Sequence, residues 1–141
     1  MSYLVLRNLD YHKRFILNTV TSNHAVEASI FQDFSNGQHP IAYFSKSLTP
    51  PERNYDIYNH ELLSIIYAVK AFKHFLLGAQ QKFLIRLDHN NLKYFKSARK
   101  ITPRQARWAE FLSDYDFELE HTSGKANMIA DLLFRRIDLK E

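Results

Sequence analysis

Six cations crowd one stretch of the chain: Lys93, Lys96, Arg99, Lys100, Arg104 and Arg107, with no carboxylate from the first to the last. Tyr94, Phe95 and Trp108 are interleaved with them. Positive side chains neutralise phosphates and aromatic rings stack on bases, so this mixture suits contact with a nucleic-acid backbone. A solvated helix face with core aromatics accounts for the same residues, and both readings stand. Glu61, Asp88 and Asp131, taken singly, are ordinary carboxylates. The first is a polar position on an amphipathic helix and the second a strand end. The third is a first-turn residue favoured by the helix dipole. His12, His24, His39, His60, His74 and His89 have no metal-ligand spacing such as HExxH and read as surface or structural residues. The absence of Cys excludes a disulfide scaffold, thiolate zinc sites and a cysteine nucleophile.

These residues need elements to position them. Arg14 to Val20 is short, apolar and β-branched, and His24 to Phe34 alternates loosely. Asn36-Gly37 is a hairpin signal, and Pro40 to Ser45 makes a third strand. Three strands with short connections predict an antiparallel meander. The period then changes. Tyr58, Leu62, Ile65, Ile66, Val69, Phe72 and Leu76 recur every three or four residues, which predicts one amphipathic helix. Thr49-Pro50-Pro51-Glu52 just upstream reads as a capping box, and Gly78 as the stop. Lys82 to Leu87 is a fourth strand, and Asn91 to Phe95 one helical turn. Thr102-Pro103-Arg104-Gln105 is a second capping box that opens a helix to about Asp114. Phe117 to Glu120 is a short strand, and Asn127 to Arg136 a last helix. A meander followed by strand–helix alternation predicts an α/β fold, a mixed sheet with helices on its faces.

Composition agrees with a single domain over residues 1–141. Hydrophobic residues make up 45% and charged residues 24%, an ordinary globular balance. Such a chain buries roughly two thirds of its unfolded surface. Three Gly and four Pro exclude a flexible linker or a collagen-like chain. Eight Tyr and eleven Phe fall mostly on strand and helix faces, where core packing explains them without a cofactor. No apolar run approaches the ~20 residues of a membrane span, and the first residues do not form a secretory signal. The expected location is intracellular, in cytoplasm or nucleus, with no membrane partner. The net charge of +4 permits a polyanionic partner without demonstrating one.

Four stretches are more specific than composition: PIAYFSKSLTPPERNYDIYNHELLSIIYAVKAFKHFLLG, RLDHNNLKYF, RQARWAEFLSDYDFELEH and GKANMIADLLFRR. Together they resemble the RNase H domain that follows reverse transcriptase in gypsy-type LTR retrotransposons. The resemblance runs from about Leu4 to Arg136. It implies an RNase H-like fold: a five-stranded mixed sheet, three antiparallel strands then two parallel ones, with helices on both faces. It also implies hydrolysis of the RNA strand of an RNA–DNA hybrid, with four carboxylates holding two Mg²⁺ ions. Three of those positions are filled. Glu61 matches the glutamate of the family's ELL motif, Asp88 the aspartate of its TDH motif, and Asp131 that of its ADALSR motif.

The fourth position departs from the pattern. The family's first strand runs into TDAS, whereas this chain has Thr19-Val20-Thr21-Ser22. Val20 therefore stands where the aspartate that bridges both metals belongs. Asn23 replaces a common second aspartate, and Ala25 and Glu27 sit at usual glycines. Glu27 would have to reach across the hairpin to substitute, and the expectation is a solvent-facing glutamate. His121 lies where cellular and retroviral RNases H often carry a histidine that could shuttle a proton to the leaving group. An exposed loop histidine explains it equally. In RNases H the stretch from Lys93 to Arg107 often lies near the nucleic-acid backbone. The expected function is a retrotransposon-derived domain with an impaired catalytic site. It would bind Mg²⁺ weakly or not at all, and would act by binding nucleic acid or a host protein. The alternative is an RNase H-type endonuclease with residual activity or altered metal dependence. A decaying element copy is a third reading, and nothing in the sequence fixes an oligomeric state.

Overall fold

The computed structural model describes residues 4–5, 9–86 and 102–119. The described elements are β1 (Leu4–Val5), β2 (Phe15–Thr21), β3 (Ala25–Phe34) and β4 (Gly37–Ser47). They continue with α1 (Pro50–Arg53), α2 (Ile57–Ala71), α3 (Lys73–Gly78), β5 (Phe83–Arg86), α4 (Pro103–Ser113) and β6 (Phe117–Leu119). The strands form one sheet in the order β1-β4-β3-β2-β5-β6. β2, β3 and β4 are the antiparallel meander, while β5 runs parallel to β2 and β6 parallel to β5. The five expected strands are therefore present in the expected sense. A two-residue strand, β1, extends the sheet antiparallel to β4; a segment that short leaves no periodic signal. Asn91–Phe95 and Asn127–Arg136, expected as helical, lie outside the described residues.

Alternation along the strands sets the core. Phe15 and Leu17 of β2 share one cluster with Ala28 and Ile30 of β3, Ala42 and Phe44 of β4, and Phe83 and Ile85 of β5. The apolar stripe of α2 (Leu62, Ile65, Ile66 and Val69) and Ala109 and Leu112 of α4 complete it. Val26, Leu48 and Leu63 form a smaller cluster, on which Tyr55, Tyr67 and Trp108 pack. Gly37 follows Asn36 at the β3–β4 hairpin with φ of 116°, a conformation that a residue with a side chain rarely adopts. No described helix is long and apolar enough to cross a membrane.

The helical region departs from the single helix predicted over Tyr58–Leu76. The Thr49 box is present, with Thr49 N donating to Glu52 Oε1 at 2.8 Å and Glu52 N to Thr49 Oγ1 at 3.3 Å. It caps only the short α1. Asp56 caps α2 separately, its side chain accepting from Asn59 N at 2.8 Å. α2 then ends at Phe72, whose backbone (φ −101°, ψ 18°) leaves the helix before α3 resumes it. The bend keeps two aromatic rings in the core. Phe72 meets Phe44 with centroids 6.4 Å apart, and Phe75 meets Phe15 at 6.0 Å. α3 stops at Gly78 as expected. A Cβ there would lie 2.8 Å from the Tyr11 ring, so glycine permits that close approach.

Glu52 ties α1 to α2. Its carboxylate accepts from the Tyr67 hydroxyl as well as from Thr49. Burial alone would raise its pKa, but these hydrogen bonds and the nearby Lys46 charge together hold it below the ordinary glutamate range. Burial and the same carboxylate push the Tyr67 hydroxyl well up. A depressed folded-state pKa contributes stability above the unfolded value, and that contribution is lost as pH falls through the folded value. Stability measured by denaturant titration should therefore decline from about pH 4.3, the unfolded glutamate value, downward. Glu52→Gln should be less stable at neutral pH and should show a shallower acid decline. Identical acid slopes in the two proteins would show that the Glu52 contacts do not contribute.

Candidate functional site

The β2–β3 hairpin carries position 20. Ser22 closes its turn: Ser22 N donates to Ala25 O at 3.0 Å and Ala25 N to Ser22 Oγ at 3.2 Å. This fixes a register in which Thr19 faces Ala28, Val20 faces Glu27 and Thr21 faces Val26. Side chains alternate across the sheet, so neighbours on β2 have opposite fates. Thr19 is 1% exposed on the core side, and its hydroxyl has no hydrogen-bond partner among the described residues. Val20 is 46% exposed on the other face.

Glu27 does not need to reach across the hairpin, contrary to the sequence-based expectation. It is the direct cross-strand partner of Val20, and such partners have Cβ atoms about 4.5–5.5 Å apart on one face. As expected, it is exposed. On its other side it pairs with Ser45 of β4. Tyr43, two residues along β4, is close enough to Glu27 for the carboxylate charge to act on its hydroxyl. Burial and the adjacent negative charge both raise the pKa of that hydroxyl. The face around position 20 thus holds an exposed valine, a carboxylate and a tyrosine.

Glu61 lies in the second turn of α2 and is 7% exposed, between buried His60 and Leu62. Its carbonyl accepts from Ser64 Oγ at 2.7 Å. His60 donates from Nε2 to Glu52 O at 2.7 Å, which gives it a structural role. Asp88, His121 and Asp131 lie outside the described residues. Val20 offers no lone pair to a cation, and among the described residues no three Asp, Glu, His or Cys come together. The described donors do not fit a pair of Mg²⁺ ions.

The basic stretch is described at its far end. Lys93, Lys96, Arg99 and Lys100 lie outside the described residues, while Arg104 and Arg107 stand on α4. The predicted capping box is present, with Thr102 N to Gln105 Oε1 and Gln105 N to Thr102 Oγ1 both at 3.1 Å. Gln105 Nε2 also donates to Asn59 Oδ1 at 3.1 Å, which clamps the start of α4 to the start of α2. One residue earlier, the Arg104 guanidinium lies 4.1 Å from the Tyr55 ring centroid and 6.0 Å from that of Trp108. Arg107 is exposed.

Two further cations sit on rings of the same pair of helices. Lys46 Nζ is 5.2 Å from the Tyr67 centroid, and Lys70 Nζ is 5.4 Å from that of Phe111. Sequence reasoning missed Lys46, Lys70 and Tyr55. Tyr55 sits between two helices and belongs to no periodic pattern, and the two lysines reach their rings only through the fold. The ion pairs among the described residues are Arg14–Glu118 and Lys82–Asp116, so Lys46, Lys70, Arg104 and Arg107 have no described carboxylate within 4.0 Å.

Comparison with known proteins gives this arrangement its family. Residues 10–115 match the model of the RNase H-like domain found in reverse transcriptase. The chain is 40% identical over 131 residues to the retrovirus-related Pol polyprotein from transposon 297 of Drosophila melanogaster, covering 93% of this chain and 12% of that protein. It is 35% identical over 140 residues to the transposon Tf2-3 polyprotein of Schizosaccharomyces pombe, covering 97% of this chain and 10% of that one. It thus spans about a tenth of the length of these curated relatives. In fold it is similar to the foamy viral protease-reverse transcriptase. For that protein in complex with dsDNA the TM-score is 0.63 at 19% identity, over 82% of this chain and 24% of the other. For the complex with RNA/DNA hybrid it is 0.60 at 19% identity, over 86% and 17%. A meander with two parallel strands added, helices capped where the motifs predict, and matches over nearly the whole length together show that the chain belongs to the RNase H-like domains of LTR-retrotransposon reverse transcriptases.

Proposed function

We propose that this RNase H-like domain acts by binding nucleic acid along the basic, aromatic stretch from Lys93 to Arg107, and that its hydrolysis of RNA–DNA hybrids is lost or severely reduced. The observation that carries this reading is Val20. A hydrocarbon side chain stands at the position where the family resemblance calls for a carboxylate shared by two metals. Removing one group from a catalytic unit costs orders of magnitude in rate. The cations of α4 and its neighbours, with no carboxylate within 4.0 Å among the described residues, support a polyanionic ligand. The foamy viral protein of similar fold was solved with dsDNA and with RNA/DNA hybrid, which supports the same ligand class.

One observation favours the alternative, a nuclease with an altered ligand set. Glu27 faces Val20 directly and could offer a carboxylate from the neighbouring strand. The two readings differ in a cleavage assay on end-labelled RNA–DNA hybrid in Mg²⁺ and in Mn²⁺. The native protein should give little or no product. Robust cleavage that disappears in Glu61→Ala would overturn the proposal and make Glu27 the first ligand to test.

Binding should be electrostatic and indifferent to sequence. Each phosphate contact contributes about −0.9 to the slope of log K against log salt for duplex DNA. Replacing Lys93, Arg99, Lys100 and Arg104 together by Ala should flatten that slope. Absence of binding to hybrid or single strands at low salt would sink the nucleic-acid reading and leave a protein partner.

Thermal melts test the assignment of position 20. Millimolar Mg²⁺ should change the melting temperature of the native protein very little. Val20→Asp sets a second carboxylate directly opposite Glu27, and like charges at cross-strand positions destabilise a sheet. That variant should melt lower without metal and recover with Mg²⁺, since a ligand that binds only the folded state stabilises it. A large Mg²⁺ shift in the native protein, or none in Val20→Asp, would show that position 20 does not belong to a metal site.

A further inference from the structure

We infer that Arg104, Tyr55 and Trp108 form a preorganised seat for one phosphodiester group; this rests on the nucleic-acid reading above and assigns it a specific contact. Two separate segments meet there. Tyr55 comes from the link between α1 and α2, while Arg104 and Trp108 come from successive turns of α4. The guanidinium carbon lies 4.1 Å from the Tyr55 ring centroid, and the Trp108 centroid is 6.0 Å away. The two rings stand with centroids 6.4 Å apart and half-buried, packed against the smaller core cluster. The seat is therefore rigid from below. The Gln105–Asn59 hydrogen bond holds α4 in place beside it.

The chemistry follows from how a guanidinium divides its surfaces. Its face takes a ring, and its edge carries five N–H donors in a planar fork that matches phosphate oxygens. At 4.1 Å from the Tyr55 centroid the guanidinium is within stacking distance, an arrangement that would use its face and leave its edge. No carboxylate lies within 4.0 Å of Arg104 among the described residues, so that edge is not spent on an ion pair. Arg104 is half-buried, so fewer of its rotamers remain to be frozen when an anion arrives. Arg107, exposed one turn further on, adds charge to the same helix. A flexible surface arginine would supply the charge without the fixed geometry.

Trp108 is the sole tryptophan of the chain, so its emission reports on this seat and nowhere else. The test titrates the full chain with an end-labelled RNA–DNA hybrid and follows label anisotropy and Trp108 emission together. A parallel titration with inorganic phosphate asks whether a free anion suffices. With hybrid, emission should change at the same midpoint as anisotropy, while inorganic phosphate at the same concentrations should leave it unchanged. Arg104→Ala should abolish the emission change and make the salt slope shallower by about one phosphate contact, roughly 0.9. Arg104→Lys should keep the slope but bind more weakly, because an ammonium lacks the fork. Tyr55→Leu should do the same by removing the ring beneath the guanidinium. Full anisotropy binding with unchanged Trp108 emission, or a slope unaltered in Arg104→Ala, would overturn the seat while leaving nucleic-acid binding intact. Equal affinity of Arg104→Lys and the native protein would reduce Arg104 to a point charge and overturn the geometric argument. Saturation by inorganic phosphate at the same concentrations would refute a seat selective for the polymer. No anisotropy change with any protein would remove the underlying reading and the seat with it.

Discussion

A slip of β2 against β3 by one residue would exchange the two faces of the sheet, and everything described here depends on that not happening. The Ser22 turn and the apolar face of β2 fix the same register from opposite ends. Phe15 and Leu17 must point toward α2, which forces Thr19 inward and Val20 outward. The consequence for position 20 is direct. A residue there is presented on the exposed face beside Glu27, whatever its chemistry. Valine is tolerated because β-branched side chains suit strands, and exposing one costs the fold little. The fold therefore does not require the carboxylate that the family's chemistry would. Selection for folding and selection for hydrolysis act on different faces of the same strand.

The second constraint is the junction among α1, α2 and α4. Two capping boxes, at Thr49 and Thr102, end their loops with side chains that satisfy backbone donors. In each box the Glu or Gln member also reaches out of its own helix. Glu52 takes the Tyr67 hydroxyl from α2, and Gln105 gives a hydrogen bond to Asn59 at the start of α2. The caps thus act as tertiary contacts as well as helix starts. His60, Tyr55 and Trp108 fill the space between them, with centroid distances of 6.2 and 6.4 Å from Tyr55. Arg104 rests on this platform because the platform is already built for packing reasons.

Sequence patterns revealed the elements more readily than their joints. The antiparallel meander followed from β-branched runs and the Asn36-Gly37 turn, and the parallel strands from their alternation with helices. Both capping boxes were legible because they are local, with partners three residues apart. The break at Phe72 was not, since it serves contacts with Phe44 and Phe15 that lie far away in sequence. The separate start of α2 at Asp56 was hidden by the stronger Thr49 signal upstream. At the site, the loss at Val20 was visible as a departure from a motif. That Glu27 is its direct partner depends on register, which the sequence leaves open by a residue or two. Lys46 and Lys70 meet Tyr67 and Phe111 only after the helices dock.

The charge distribution argues that the two surfaces have different roles. On the β2–β3 face, a phosphate approaching Val20 meets the Glu27 carboxylate. A fixed negative charge on an exposed strand repels a polyanion unless a cation intervenes, and Val20 provides no donor to help hold one. On the α2–α4 side, Lys46, Lys70 and Arg104 each rest on an aromatic ring, and among the described residues Lys70 and Arg104 have no carboxylate within 4.0 Å. An ion pair would have neutralised them, whereas a ring positions the charge without cancelling it. Among the described residues attraction and repulsion therefore act in the same sense, and for the polynucleotide proposed above they favour the helical side. For the polyanion proposed above, the described charges favour an approach toward Arg104 over one toward the position where the family resemblance calls for a catalytic aspartate.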